Sequence, residues 1–197
     1  MKTTDFVSNY LIELKKVIDT VDPAELDPIV DGLLETWRKG GRVLLMGNGG
    51  TSSNVSHIVN DLQKNIYLDT GKALKTMCLS DCTPLMMAWA NDTEWNNIFA
   101  PQVECWAEPG DVVIGASGSG NSMNVINGIE VAKRKGAKTF GLSGYSGGKL
   151  KEAADYCVVV HSDSMQRIED VHMIMLHMIF GALLGKAVEE SRAAVAS

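Results

Sequence analysis

Val43-Leu44-Leu45-Met46-Gly47-Asn48-Gly49-Gly50-Thr51-Ser52-Ser53-Asn54-Val55-Ser56-His57-Ile58-Val59-Asn60-Asp61 is the stretch that decides the fold. Its apolar opening is the pattern of a buried parallel strand. Gly47-Asn48-Gly49-Gly50 then breaks the run, and glycine lets a ligand approach the backbone closely. Thr51, Ser52 and Ser53 lead into a helical pattern. A strand, a glycine turn and a helix N-terminus form an anion site, because unpaired N–H groups and the helix dipole point at the ligand. His57 and Asp61 follow on that helix, four residues apart and so on one face.

The same grammar recurs downstream. Val112 to Ala116 reads as a buried strand, followed by the loop Ser117-Gly118-Ser119-Gly120-Asn121-Ser122 and a helix from Met123 to Lys135. Hydroxyls and helix N-terminal amides bind phosphate without a lysine. A plain Ser/Gly turn has the same composition; two such loops, each leaving a strand and opening a helix, favour phosphate. Neither is a P-loop, since GxxxxGK[ST] is absent.

Upstream, Phe6 to Val21 and Ala24 to Lys39 carry apolar residues at helical spacing, and Gly40-Gly41 stops the second helix. Two helices before the first strand suggest an appendage that packs on another subunit; covering the chain's own sheet is the plainer alternative. Leu62 to Lys72 reads as a loop and Lys75 to Leu79 as a strand. A helix from Thr83 to Ala90 is broken by Asn91-Asp92, and Asn97 to Ala107 is a further helix. Thr139 to Ser143 and Cys157 to His161 are strands flanking a short helix at 149–154. A long Met-rich helix closes the chain. Helices alternating with short apolar strands give an α/β three-layer sandwich on a parallel sheet, with the glycine loops at the strand C-terminal ends where such sheets bind ligands. The whole of 1–197 reads as a single domain, with N-terminal helices over 1–40 and the α/β core over 41–197.

Composition narrows the partners. The net charge is −6 and no basic stripe occurs, which argues against nucleic acid. Four cysteines without a CxxC pair fit reduced thiols in a cytoplasmic protein. The first sixteen residues lack a signal-peptide core, and no apolar run approaches ~20 residues, so no membrane span is expected.

His57 and Asp61 suit metal coordination or acid/base work. Glu169 and His177 are eight apart on the last helix, about two turns, and share a face. Together they offer two imidazoles and two carboxylates, a competent set for zinc or another divalent ion. Alone, a histidine on an apolar helix is more often a satisfied core residue, and His161 and His172 are read that way.

GNGGTSSNVSH, GASGSGNSMNV and RIEDVHMIMLH resemble, in order and spacing, the signature segments of bacterial phosphoheptose isomerases, a family of the sugar isomerase (SIS) domain superfamily. The resemblance runs from about Phe6 to Ala187. It implies a flavodoxin-like five-stranded parallel sheet and a homotetramer with active sites at subunit interfaces. It also implies isomerisation of sedoheptulose 7-phosphate to D-glycero-D-manno-heptose 7-phosphate, usually with zinc. By position it makes Asn48, Gly49, Gly50 and Thr51 the first substrate-binding segment and Asn91 and Asp92 the second. Ser117, Gly118, Ser119 and Ser122 become the phosphate loop. His57, Asp61, Glu169 and His177 become metal ligands, with Glu169 also touching substrate and Asp61 and His177 the catalytic acid/base pair.

The sequence departs from that family at several of these positions. Asp61 stands where Glu is usual, Glu169 where Gln is usual, Gly118 where Thr is usual, Asn65 where a basic residue is usual, and Gln166 where Asp is usual. A second group resembles the chain nearly as well: the DnaA initiator-associating SIS proteins, tetrameric binding proteins without catalysis. The presence of both His57 and His177 favours the enzyme.

Overall fold

Leu44 and Leu45 are neighbours in the chain and lie in different hydrophobic cores. They sit on β1 (Arg42–Gly47), a strand buried on both faces, so successive side chains go to opposite layers. The structure is a computed structural model and describes residues 2–196. Its five-stranded sheet adds β2 (Lys75–Cys78), β3 (Val112–Ser117), β4 (Lys138–Gly144) and β5 (Tyr156–Val160), all parallel, in the order β2-β1-β3-β4-β5. This is the expected flavodoxin-like order.

One layer consists of α2 (Asp27–Lys39), α3 (Gly49–Asn60) and α9 (Met165–Ala196). Ile29, Leu33 and Trp37 of α2, Val55 and Ile58 of α3, and Met175, Ile179 and Leu183 of α9 meet Val43, Leu45, Ile114 and Leu142 of the strands. The opposite layer carries α6 (Ala100–Trp106), α7 (Met123–Arg134) and α8 (Gly148–Ala153), whose Val103, Val125, Ile129 and Leu150 cover Leu44, Met46 and Val113.

The two N-terminal helices differ in how far the chain's own fold covers them. α2 belongs to its own chain's core, the plainer alternative. α1 (Thr3–Ile18) is the appended one: Val17 is buried, while Phe6, Val7, Leu11 and Ile12 are exposed. It is tied to α9 where the Tyr10 hydroxyl donates to Asp170 Oδ2 at 2.5 Å. Withdrawal from water and that acidic partner push the Tyr10 phenol up to about 12.

Two expectations are corrected. Residues 62–72 are not a loop from their start: the helix of α3 continues through a π turn at Asp61–Asn65 into α4 (Ile66–Thr70). Leu62 and Ile66 are buried and drive the continuation, while Gly71 ends it. Asn91 and Asp92 do not break α5 (Thr83–Asp92); they are its last residues. α9 also has the length and apolarity of a membrane-crossing helix, although Glu, His and Lys interrupt its apolar runs. A stripe from Ile168 through Ala187 nevertheless packs in the core of this chain.

Candidate active site

The chain leaves β1, forms β2 on one side, then returns to place β3 on the other. Between β1 and β3 the order reverses, and the C-terminal ends of these strands open a crevice. The register sets Gly47 beside Ala116, so the two glycine loops picked out in the sequence leave the sheet as neighbours.

An amide pair joins them. Asn48 Nδ2 donates to Asn124 Oδ1 and Asn124 Nδ2 donates back to Asn48 Oδ1, each at 2.9 Å. Asn48 precedes the first turn of α3, formed by Gly49, Gly50 and Thr51. Thr51 Oγ1 accepts from the Asn48 N–H at 3.1 Å and donates to the Asn48 carbonyl at 2.7 Å, closing the turn. Asn124 was missed in the sequence. Its signal was an amide on the stripe Asn124, Gly128, Val131, which is otherwise the buried face of α7; a buried amide has to find partners.

On the β3 side, Ser117 is buried and its Oγ lies 2.9 Å from Ser122 Oγ. Ser122 is the N-cap residue of α7. Ser119 Oγ accepts from the Asn121 N–H at 3.2 Å. The carbonyls of Gly118 and Gly120 accept from the N–H groups of Gly144 and Leu150, so the loop is held from below by β4 and α8. A Cβ at Gly118 would lie 2.3 Å from Met165 Sδ. Met165, the first residue of α9, thus takes the space a larger residue at 118 would need.

His57, Asp61 and His177 form a second cluster. The two Nε2 atoms are 3.2 Å apart, the rings meeting edge to face, and Asp61 Oδ2 lies 3.8 Å from His177 Nε2. One ligand atom from each of the three lies within 4.8 Å of the others. The cluster is open to solvent: the His177 side chain is 48% exposed and that of Asp61 22%. Two imidazole nitrogens and a carboxylate oxygen are borderline donors that suit zinc, so the residues present fit a divalent ion.

Glu169 is not among the three residues whose ligand atoms lie within 4.8 Å of one another. Eight residues along an α-helix rise about 12 Å, so Glu169 and His177 share a face but not a level. The Glu169 carboxylate instead lies over Gly50, where a Cβ would meet its oxygens at 2.3 and 2.4 Å. Its carbonyl accepts from Asn54 Nδ2 at 2.8 Å, which docks α9 on α3. Asn91 and Asp92 are exposed at the end of α5, with their side chains bonded to each other at 2.8 Å.

His172 is a core residue, as read. Burial holds its imidazole down at about 4, hence neutral, and Nε2–H donates to the Ser143 carbonyl at 3.0 Å.

Residues 6–144 match the SIS domain family. A probable phosphoheptose isomerase from Thermoplasma volcanium is 34% identical over 173 residues, 88% of each chain. The chain belongs to the phosphoheptose isomerase family of SIS domain proteins. A phosphoheptose isomerase from Helicobacter pylori is 39% identical over 166 residues, 84% of this chain and 85% of that one. In fold, a phosphoheptose isomerase from Francisella tularensis superposes with a TM-score of 0.86 at 24% identity, covering 93% of this chain and 98% of that one.

Proposed function

We propose that this phosphoheptose isomerase interconverts sedoheptulose 7-phosphate and D-glycero-D-manno-heptose 7-phosphate in the cytoplasm. The observation that carries the reading is the presence, in one chain, of a serine loop that opens α7 beside the glycine loop of α3 and of a His/Asp/His cluster drawn from α3, the π turn that continues it, and α9. The relatives' names supply the substrate class.

The serine loop takes the phosphate through the hydroxyls of Ser119 and Ser122 and the first amides of α7. Asn48 to Thr51 and Glu169 meet the sugar hydroxyls, and Asn91 and Asp92 do so from the end of α5. Aldose–ketose exchange moves a proton between the two carbons that share the carbonyl and shifts protons between their oxygens. Asp61 and His177 carry those protons; a carboxylate and an imidazole close together can hold and return one. His57, Asp61 and His177 would hold a divalent ion, zinc by the donor set, whose chemistry is to polarise the substrate's oxygens.

The active assembly is a homotetramer. Support comes from α1 and α5, which expose Phe6, Leu11, Leu85 and Met87; among the described residues none of α5 is buried. Four free cysteines and a net charge of −6 support a cytoplasmic protein that binds a small sugar phosphate, rather than nucleic acid or membrane. The test is turnover of sedoheptulose 7-phosphate by the purified protein, with and without added zinc. No product in either case overturns the reading in favour of a non-catalytic SIS protein.

A further inference from the structure

Asp61 opens a helical turn wound more loosely than its surroundings. α3 ends at Asn60, the π turn runs from Asp61 to Asn65, and α4 resumes at Ile66. A single π turn inside an α-helix rotates side chains about the axis without ending the helix, and such turns occur often at functional sites. Here the residues at its two ends are bonded to each other: Asn65 Nδ2 donates to Asp61 Oδ1 at 3.0 Å.

That bond divides the carboxylate. Oδ1 is held from within its own helix, and Oδ2 is the oxygen that stands 3.8 Å from His177 Nε2. An aspartate on an open surface turns freely about its side-chain torsions, and the cluster is partly exposed, so water competes for both oxygens. A donor on the same rigid helix restrains the carboxylate before any substrate arrives. Partners of this kind orient the groups that do the chemistry, and losing one typically costs 10–100-fold in metal affinity or activity.

We propose that Asn65 is a positioning residue of this enzyme: its amide turns Asp61 so that Oδ2 faces His177. Asn65 touches neither reacting atom nor cation and acts through Asp61. The proposal rests on the isomerase reading above.

The variants are Asn65→Leu, of similar size without the donor, and Asn65→Gln, which keeps an amide one methylene longer. Turnover of sedoheptulose 7-phosphate, zinc affinity by calorimetry and crystal structures are read for both and for the parent. Asn65→Leu is expected to lower kcat by about tenfold, with KM unchanged and zinc bound more weakly. Its crystal structure should show the Asp61 carboxylate turned away from His177. Asn65→Gln should recover most of kcat. Asn65→Leu with parental kcat and zinc affinity overturns the proposal. So does a loss shared equally by both variants, which would mark a helix effect. If Asn65→Leu does not fold, Asn65→Ala takes its place, with the same loss expected and the same parental values overturning the proposal. A parent that turns over no sugar phosphate sinks the isomerase reading instead. The Asp61 orientation in the two crystal structures still decides the role of Asn65.

Discussion

His57 Nε2 and His177 Nε2 face each other at 3.2 Å across 120 residues of chain. Two ring nitrogens at that separation can both reach one cation. Zinc is therefore expected to bind one per chain, and His57→Ala or His177→Ala to abolish that binding. At about a hundredfold excess over Kd, binding adds about 2.7 kcal/mol to stability. The melting temperature of the parent should rise with zinc and that of the two variants should not. A zinc-induced shift that survives in His177→Ala removes His177 from the site. If His177 were a core residue, its loss would instead lower stability and leave specific activity per folded molecule unchanged.

The serine loop predicts a KM effect. Ser119→Ala with Ser122→Ala removes two hydroxyls from the proposed phosphate cradle, and hydrogen bonds to charged groups contribute about 1.5–3 kcal/mol each. KM for the sugar phosphate should rise at least about tenfold, with a parallel loss of inhibition by inorganic phosphate. The double variant should also melt lower, because Ser117 Oγ is buried and loses its partner at 122. Unaltered KM would place the phosphate elsewhere.

Gly50 and Glu169 share one space. A methyl at position 50 would overlap the Glu169 carboxylate, the far end of a flexible side chain. Gly50→Ala should therefore change stability little and displace the carboxylate, lowering kcat/KM if Glu169 meets the substrate. Glu169→Gln keeps the shape and should retain zinc binding and hold or raise turnover. Full activity in Gly50→Ala would show that the carboxylate's place is immaterial.

His172 gives a pH dependence of stability. Its folded pKa is about 4, below its ordinary 6.5. Between those values the unfolded chain binds a proton that the folded chain does not, so stability falls as pH drops from 6.5 to about 4 and levels off below. The loss reaches about 3 kcal/mol for that one group. His172→Gln keeps a donor for the Ser143 carbonyl and should flatten this part of the melting curve against pH. A slope equal to that of the parent would assign the acid sensitivity to other groups.

The exposed apolar faces of α1 and α5 predict a tetramer by light scattering at micromolar concentration. Leu11→Glu together with Met87→Glu places charges at positions 60% and 66% exposed in the single chain, so the chain's own fold should tolerate them. A smaller species that still melts cooperatively is the expected result. A tetramer unaffected by both charges, or a monomeric parent, would show that these faces do not carry the assembly.

How much was legible in the sequence follows from the range of the forces. Val43 to Met46 reads as a buried strand because an unbroken apolar run has no solvent face, and the two glycine loops fall where strands end. The short alternation of helix and strand gives a parallel sheet covered on both faces, and the flavodoxin-like sheet was what the family resemblance implied. The position of His57 beside Asp61 is local helix geometry. Three matters were decided only in three dimensions. The π turn at Asp61 joins Asp61 to Asn65, and no periodicity in the sequence marks it. The two-turn separation of Glu169 from His177 is fixed by helix spacing, but the seating of the Glu169 carboxylate over Gly50 is set by how α9 packs on α3. The Asn48–Asn124 pair and the closure of His177 on His57 join residues 76 and 120 positions apart. Chain pattern carries local periodicity; such meetings depend on how the sheet stacks its helices.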